Sequence, residues 1–199
     1  MDILNRDSKF KWQHWRGTIR DVSNLGFVVH KHRATRLHYD FRLEWNGVLL
    51  SWAIPKGPSL DPSVKRLAVP VEDHPVEYAD FEGIIPEGEY GAGTIMIWDK
   101  GPWVPQVSDV DASLRAGDLK FILQGAKLRG SWALVRPRRG LASASGPPTW
   151  LLIKHHDAFA SSEDITQTQP RSVASNRLLA EIARDEGGDI KKAMTGDPP

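Results

Sequence analysis

Leu37-His38-Tyr39-Asp40-Phe41-Arg42-Leu43-Glu44-Trp45, then Asn46-Gly47, then Val48-Leu49-Leu50-Ser51-Trp52-Ala53-Ile54, is the stretch from which the fold is read. Apolar and polar residues alternate from Leu37 to Trp45, the period of a strand with one buried face. Asn46-Gly47 is the strongest short hairpin signal, because both central residues of a tight hairpin turn take positive φ. Val48 to Ile54 reads as the return strand, broken by Pro55-Lys56-Gly57-Pro58. Further runs from Phe27, Arg66 to Val71, Thr94 to Trp98, Leu119 to Leu123, Gly130 to Val135 and Trp150 to Lys154 have the same short, punctuated texture. That texture favours a closed β-barrel or a sandwich of antiparallel strands over an α/β fold. One short helix is expected from Asp111 to Ala116, capped by Asp111 and stopped by Gly117.

These runs place a compact unit at residues 26–158. It follows a polar arm at residues 1–25, in which Trp12 and Trp15 sit among basic residues. A polar tail at residues 159–199 comes after it. In the tail, Arg177 to Arg184 reads as a short helix and Gly187 to Pro199 as disordered. Arg138 to Pro148 reads as a Gly/Ser/Pro-rich loop.

The 199 residues suffice for one well-cored domain with short tails. With 40% hydrophobic and 26% charged residues, the composition is that of an ordinary globular protein. No apolar run is long enough to span a bilayer and no secretory signal is visible, so a cytoplasmic location without membrane contact is expected. Cysteine is absent, which excludes disulfides, thiolate metal sites and cysteine nucleophiles. Any metal must be held by His, Asp or Glu. The net charge of +1 excludes a polybasic nucleic-acid binder, so a nucleic-acid role would need a local basic face. Lys65-Arg66, Lys127 to Arg129 and Arg136 to Arg139 are candidates, though each run alone reads as solvated surface. Most of the 8 Trp are expected in the core.

In a strand, residues two apart share a face and rise about 6.6–6.8 Å. His38, Asp40, Arg42 and Glu44 therefore share one face, and Leu37, Tyr39, Phe41 and Leu43 pack on the other. The polar face of an antiparallel sheet is often merely wet. Here it carries a neutral ligand, an anionic ligand and a guanidinium in succession. His and Asp at i and i+2 can converge on one cation at about 2.0–2.2 Å from each donor. His32, just upstream of a bend, could complete a three-ligand cluster with positions open for water and substrate. Spacing alone leaves metal site and satisfied surface strand evenly balanced. Arg42 could grip phosphate oxygens with two donors, with Arg66 and Lys56 as further cations on adjacent strands. His74, at a strand end before Pro75, is followed by Tyr78; alone, the pair reads as a contact across a turn.

Other motifs carry less. His30-Lys31-His32 suggests a cupin, and with it a metal oxidoreductase, but the glutamate expected after it is missing. Gly88-Glu89-Tyr90-Gly91-Ala92-Gly93 lacks the Lys-Ser/Thr of a phosphate-binding loop and reads as a turn entering a strand. Ser143, Ser145 and His155-His156 show no nucleophile-elbow context. No Lys-x-Asp-Gly adenylation motif is present, so this chain is not itself a ligase.

Several stretches resemble the 3′-phosphoesterase domain of bacterial DNA ligase D, a domain also found as stand-alone archaeal and bacterial proteins. They are His32 to Glu44 (HRATRLHYDFRLE), Trp52 to Leu60 (WAIPKGPSL), Lys65 to Tyr78 (KRLAVPVEDHPVEY) and Phe81 to Gly101 (FEGIIPEGEYGAGTIMIWDKG), with Gly130 to Arg136 and Trp150 to His155. The resemblance covers roughly residues 26–158. It implies a compact β-barrel flanked by short helices, with the site in a crescent-shaped groove. By position it implies that His32, His38 and Asp40 hold a divalent metal, typically Mn2+. Arg42 and His74 would bind the scissile phosphate, with His74 a candidate general acid, and Tyr78, Arg66, Lys56 and Glu72 would support them. The implied activity trims a 3′-terminal ribonucleotide from a primer strand and then removes the 3′-phosphate. This leaves a 3′-OH for the polymerase and ligase of end joining, and so a nucleoid-associated role. The implied partners are DNA or RNA 3′ ends on a primer-template duplex. The alternative is a non-catalytic module that binds 3′ ends within a repair complex.

Two departures stand out. Arg6-Asp7, matched to the family's phosphate-binding Arg and its neighbour, is followed by Ser8 to Trp12 instead of a Pro-containing segment. His30 stands where the family commonly has Gln.

Overall fold

The structure, a computed structural model, describes residues 25–137 and 149–199. Arg6, Trp12, Trp15 and the 138–148 loop lie outside the described residues.

Ten strands form in chain order: β1 (Gly26–Arg33), β2 (Leu37–Trp45), β3 (Val48–Ile54), β4 (Lys65–Pro70), β5 (His74–Pro75), β6 (Gly83–Ile85), β7 (Gly93–Pro105), β8 (Asp118–Gln124), β9 (Arg129–Val135) and β10 (Trp150–Lys154). Helix α1 (Val110–Ala116) precedes β8, and α2 (Ile165–Thr168), α3 (Leu179–Asp185) and α4 (Ile190–Met194) follow β10. A 3₁₀ turn, Val76–Asp80, follows β5.

The hairpin read from sequence forms as expected. Asn46 and Gly47 take φ of 50° and 81°, and Trp45 pairs with Val48. Pairing runs β1-β2-β3-β4-β10-β9-β8-β7, and β7 pairs back onto β1, which closes an antiparallel barrel of eight strands. The barrel is mainly β with a few short flanking helices, and closure leaves the ring without an exposed edge. β5 adds to β3, and β6 to β7.

The interior is aromatic. Phe41 sits 5.9 Å from Phe121 and 6.5 Å from Trp52, ring centre to ring centre. Trp52, Trp98, Trp103, Trp132 and Trp150 are all buried, in line with the expectation that tryptophan serves the core here. A buried ring of this size contributes about 1.5–3 kcal/mol, and Phe41→Ala would cost about 3–5 kcal/mol.

Three local expectations are corrected. Helix α1 is capped by Asp109, whose carboxylate accepts from Ala112 N at 2.8 Å; Asp111 instead accepts from Trp45 Nε1 at 2.9 Å. The strand expected to stop at Trp98 continues to Pro105, because Thr94 to Pro102 pair with β1 and Trp103 to Pro105 with β8. The segment read as disordered is folded. Residues 190–194 form α4, and Asp197 accepts from Leu179 N and Ala180 N at the start of α3. Leu179, Ile182, Ala183 and Ala193 join the core, and this burial is what a composition-based reading of a polar tail misses.

No helix among the described residues is long and apolar enough to cross a membrane.

Candidate metal and phosphate site

On β1 and β2 the odd-numbered residues Val29, Tyr39, Phe41 and Leu43 pack in the core, so the even-numbered residues face out of the barrel. Antiparallel register sets His32 opposite His38 and His30 opposite Asp40. Arg42 lies opposite Ser51 on β3. The outer face of three adjacent strands thus gathers His30, His32, His38, Asp40, Arg42 and Ser51. Despite facing outward, His30, His32, Asp40, Arg42 and Ser51 are all buried. β5 and the 3₁₀ turn bring His74 and Tyr78 over this face, His74 pairing opposite Leu49.

One donor atom each from His32, His38 and Asp40 lies within 4.8 Å of the others. His32 Nε2 donates to the Gly91 carbonyl at 2.8 Å, which turns Nδ1 toward Asp40 Oδ2 at 3.7 Å. His38 Nδ1 donates to the Arg36 carbonyl at 3.0 Å, which turns Nε2 toward Asp40 Oδ1 at 3.5 Å. A carbonyl can only accept, so in the neutral rings the committed nitrogens carry the protons. Two bare nitrogens then face a carboxylate. That arrangement repels unless a proton or a cation lies between, and His–carbonyl contacts of this kind orient metal-binding imidazoles. The donor set of two His and one Asp fits a divalent cation.

Burial alone would raise the Asp40 pKa, but the His32 and His38 rings beside it and the charge of Arg42 outweigh it and hold the carboxyl well below its usual range. Burial likewise pulls His38 down, and Asp40 more than restores it, so the net shift is upward.

Arg42 is nearly saturated. Nε donates to His30 Nδ1 at 3.3 Å, Nη1 donates to Ser51 Oγ at 2.7 Å and meets His74 Nδ1 at 2.9 Å, and Nη2 donates to Asp40 Oδ2 at 3.2 Å. Its guanidinium also packs over the Tyr78 ring at 5.3 Å. Of five N–H groups, one on Nη2 has no partner among the described residues. With His74 Nδ1 accepting, a single Arg42 donor remains for phosphate where the sequence suggested two, because the other donors are held by the protein.

His74 Nδ1 also lies 2.8 Å from the Glu72 carbonyl. Where Nδ1 accepts from Arg42, the ring proton sits on Nε2; where Nδ1 donates to Glu72 O, Nε2 is bare and one Arg42 Nη1–H is released. Burial and the Arg42 charge lower the His74 pKa. Tyr78 packs against His74 at 4.8 Å and stacks on Phe81 at 5.2 Å, ring centre to ring centre.

The remaining candidates separate. Glu72 contributes its carbonyl to His74, while its side chain is exposed. Lys56 and Arg66 do not join Arg42 and His74. They line a pocket of about 290 Å³ with Lys31, Tyr39 and Thr166, and Lys31 and Tyr39 belong to the opposite face of β1 and β2. Arg6 lies outside the described residues. Lys127, a candidate for a basic face, is buried and donates to the Gln169 and Arg171 carbonyls.

Three participants were missed from sequence. Ser51 was findable, since counting back along the hairpin from Trp45 and Val48 puts it opposite Arg42. His30 was weighed in a cupin motif and as a departure from the family, not as part of this site. Gly91 was read as part of a turn; its φ of 80° lets the loop present a carbonyl to His32, and only the tertiary contact reveals it.

The model of the DNA ligase D 3′-phosphoesterase domain matches residues 30–136, which hold every described site residue. The chain is 53% identical over 159 residues to the multifunctional non-homologous end joining protein LigD of Pseudomonas aeruginosa, covering 78% of this chain and 18% of that protein. It is 49% identical over 121 residues to the multifunctional non-homologous end joining DNA repair protein LigD of Mycobacterium tuberculosis, covering 60% of this chain and 16% of that protein. The chain thus spans less than a fifth of the length of these relatives. On the family match and the barrel that carries it, this chain belongs to the DNA ligase D 3′-phosphoesterase domain family.

Proposed function

We propose that the chain is a divalent-metal-dependent phosphoesterase that removes 3′-terminal ribonucleotides and 3′-phosphates from nucleic-acid ends, leaving a 3′-OH for end joining. The observation that carries this reading is the convergence of His32, His38 and Asp40, one ligand atom from each within 4.8 Å of the others, beside a buried guanidinium. His32, His38 and Asp40 would hold the cation, with Mn2+ the expected metal. When bound, the cation supplies Lewis-acid stabilisation of charge on a phosphoryl oxygen.

The protein groups do the rest. The free Nη2–H of Arg42 binds a second phosphoryl oxygen, a charge-assisted bond in a buried setting. As water attacks phosphorus and the bond to the departing oxygen breaks, His74 Nε2, protonated when Nδ1 accepts from Arg42, delivers a proton to that oxygen, or donates to the phosphoryl group as charge builds on it. Tyr78 holds Arg42 and His74 between its ring and the strands. LigD is named as an end-joining protein in its source organisms, which supports a DNA or RNA 3′ end as substrate and the ligase and polymerase functions of end joining as partners.

The test is a gel assay with all-DNA, single-ribonucleotide and 3′-phosphate primers on a template, across several metals. Conversion to 3′-OH only with added divalent metal, lost in His38→Ala and Asp40→Ala, is the expected result. Full activity in chelator would overturn the metal role. Tight binding of a 3′-phosphate end without product over hours would instead favour a non-catalytic end-binding module.

A further inference from the structure

A guanidinium that must meet a phosphate has to be aimed before the phosphate arrives, and its long stem has many rotamers to lose. Arg42 is 3% exposed and bonded to four side chains. Two of them, Asp40 and His74, already belong to the proposed chemistry. The other two, Ser51 and His30, have no part in it.

Ser51 is buried, and its hydroxyl proton is committed to the Leu49 carbonyl at 2.8 Å. Its lone pairs are what remain for Arg42 Nη1, so the direction of that bond is fixed. His30 is fully buried, and its ring meets Tyr78 edge to face at 5.4 Å. Its Nδ1 faces the Arg42 Nε–H, which puts the ring proton on Nε2, a buried atom with no hydrogen-bond partner among the described residues. Leaving a buried N–H unpaired is costly, and such a group calls for a reason. Presenting a neutral acceptor to Arg42 is that reason. Neutrality matters because Asp40 already shares its charge with Arg42. A second carboxylate would hold the guanidinium as firmly but cancel the positive field that attracts phosphate.

We infer that Ser51 and His30 are positioning residues, a neutral saddle on β1 and β3 that aims Arg42 and leaves one Nη2–H facing the substrate. This rests on the phosphoesterase reading above.

The experiment uses the full chain, a 3′-phosphate primer-template and Mn2+. Ser51→Ala and His30→Leu are each expected to lower kcat about tenfold or more, the scale of a lost hydrogen bond to a charged group. The Mn2+ concentration for half-maximal activity should stay within about twofold, since the saddle touches none of the proposed ligands. Ser51→Thr and His30→Gln keep an acceptor and should return kcat to within about threefold of the parent. The inference is overturned if Ser51→Ala keeps parental kcat, if Thr and Gln are as slow as Ala and Leu, or if Mn2+ half-saturation rises in step with the loss. A parent without turnover would sink the phosphoesterase reading. The saddle is then judged by fluorescence anisotropy with a 3′-phosphate oligonucleotide. There, weaker binding by Ser51→Ala, restored in Ser51→Thr, supports it, and unchanged binding sinks it.

Discussion

Asp40 and Asp99 are two aspartates buried in the wall of one barrel, and they are held in opposite ways. Asp99, on β7, accepts from the backbone of Ala126, Lys127 and Leu128 at 2.9, 3.1 and 2.7 Å, which clamps the turn between β8 and β9. Burial raises its pKa despite those bonds. Asp40, on β2, accepts from no backbone group among the described residues and is ringed by His32, His38 and Arg42. A carboxylate bonded to three backbone amides is finished when the chain folds. A carboxylate that meets one guanidinium and two converging imidazoles can still take a cation, and that openness is what separates a site from a structural clamp.

Substitution should break the comparison most sharply. Asp40→Ala is expected to take metal-stimulated turnover below detection. Asp99→Ala should leave turnover per folded molecule within about twofold while destabilising the fold by about 3 kcal/mol, as two buried N–H groups and a part-buried one lose their acceptor. Initial rates and urea unfolding of both variants measure this. Turnover lost equally in the two would dissolve the distinction.

A smaller effect is expected one step out from Asp40. The Gly91 backbone, at φ 80°, is one that a branched side chain rarely adopts. Gly91→Val should shift the carbonyl that orients His32 and weaken Mn2+ binding about tenfold to a hundredfold, the usual range for groups that support metal ligands. Titration calorimetry with Mn2+ reads this directly; unchanged affinity would show that His32 needs no such support.

The smallest effect is in pH, and it should have opposite signs. The Asp40 pKa is depressed on folding, so its contribution is fully present above the unfolded value of about 3.9 and fades as pH falls below it. The Asp99 pKa is raised, so its contribution is fully present below about 3.9 and fades as pH rises through the folded value. In chelator, the Tm gap between parent and Asp40→Asn should widen as pH rises from about 3 to 5, and the gap to Asp99→Asn should narrow. Gaps that move the same way would mean the two carboxyls are not held differently.

The legible part of the site is the part carried by period two. His38, Asp40 and Arg42 share a face because they sit two apart, and His32 joins them because the bend after β1 is short. Ser51 lay one step further, within reach of the hairpin register. Gly91 was out of reach, because its carbonyl is placed by a loop 59 residues along the chain from His32. Lys56 and Arg66 illustrate the reverse error: adjacent strands suggested a shared cationic face, but their pocket belongs with the inward-facing Lys31 and Tyr39.

By itself the sequence determined the hairpin from Leu37 to Ile54, the run of short strands, the aromatic interior, the absence of thiolate chemistry and the candidate triad His32, His38 and Asp40. These are local properties, set by alternation, turn chemistry and residue type. The tertiary structure decided that the strands close on themselves through β7 and β1 and that the polar face of β2 is buried under His74 and Tyr78. It also decided that Arg42 arrives with four partners and that the C-terminal residues fold onto the barrel. Each of these depends on which distant segments pair, and pairing between distant segments is set by the free energy of the whole packed core.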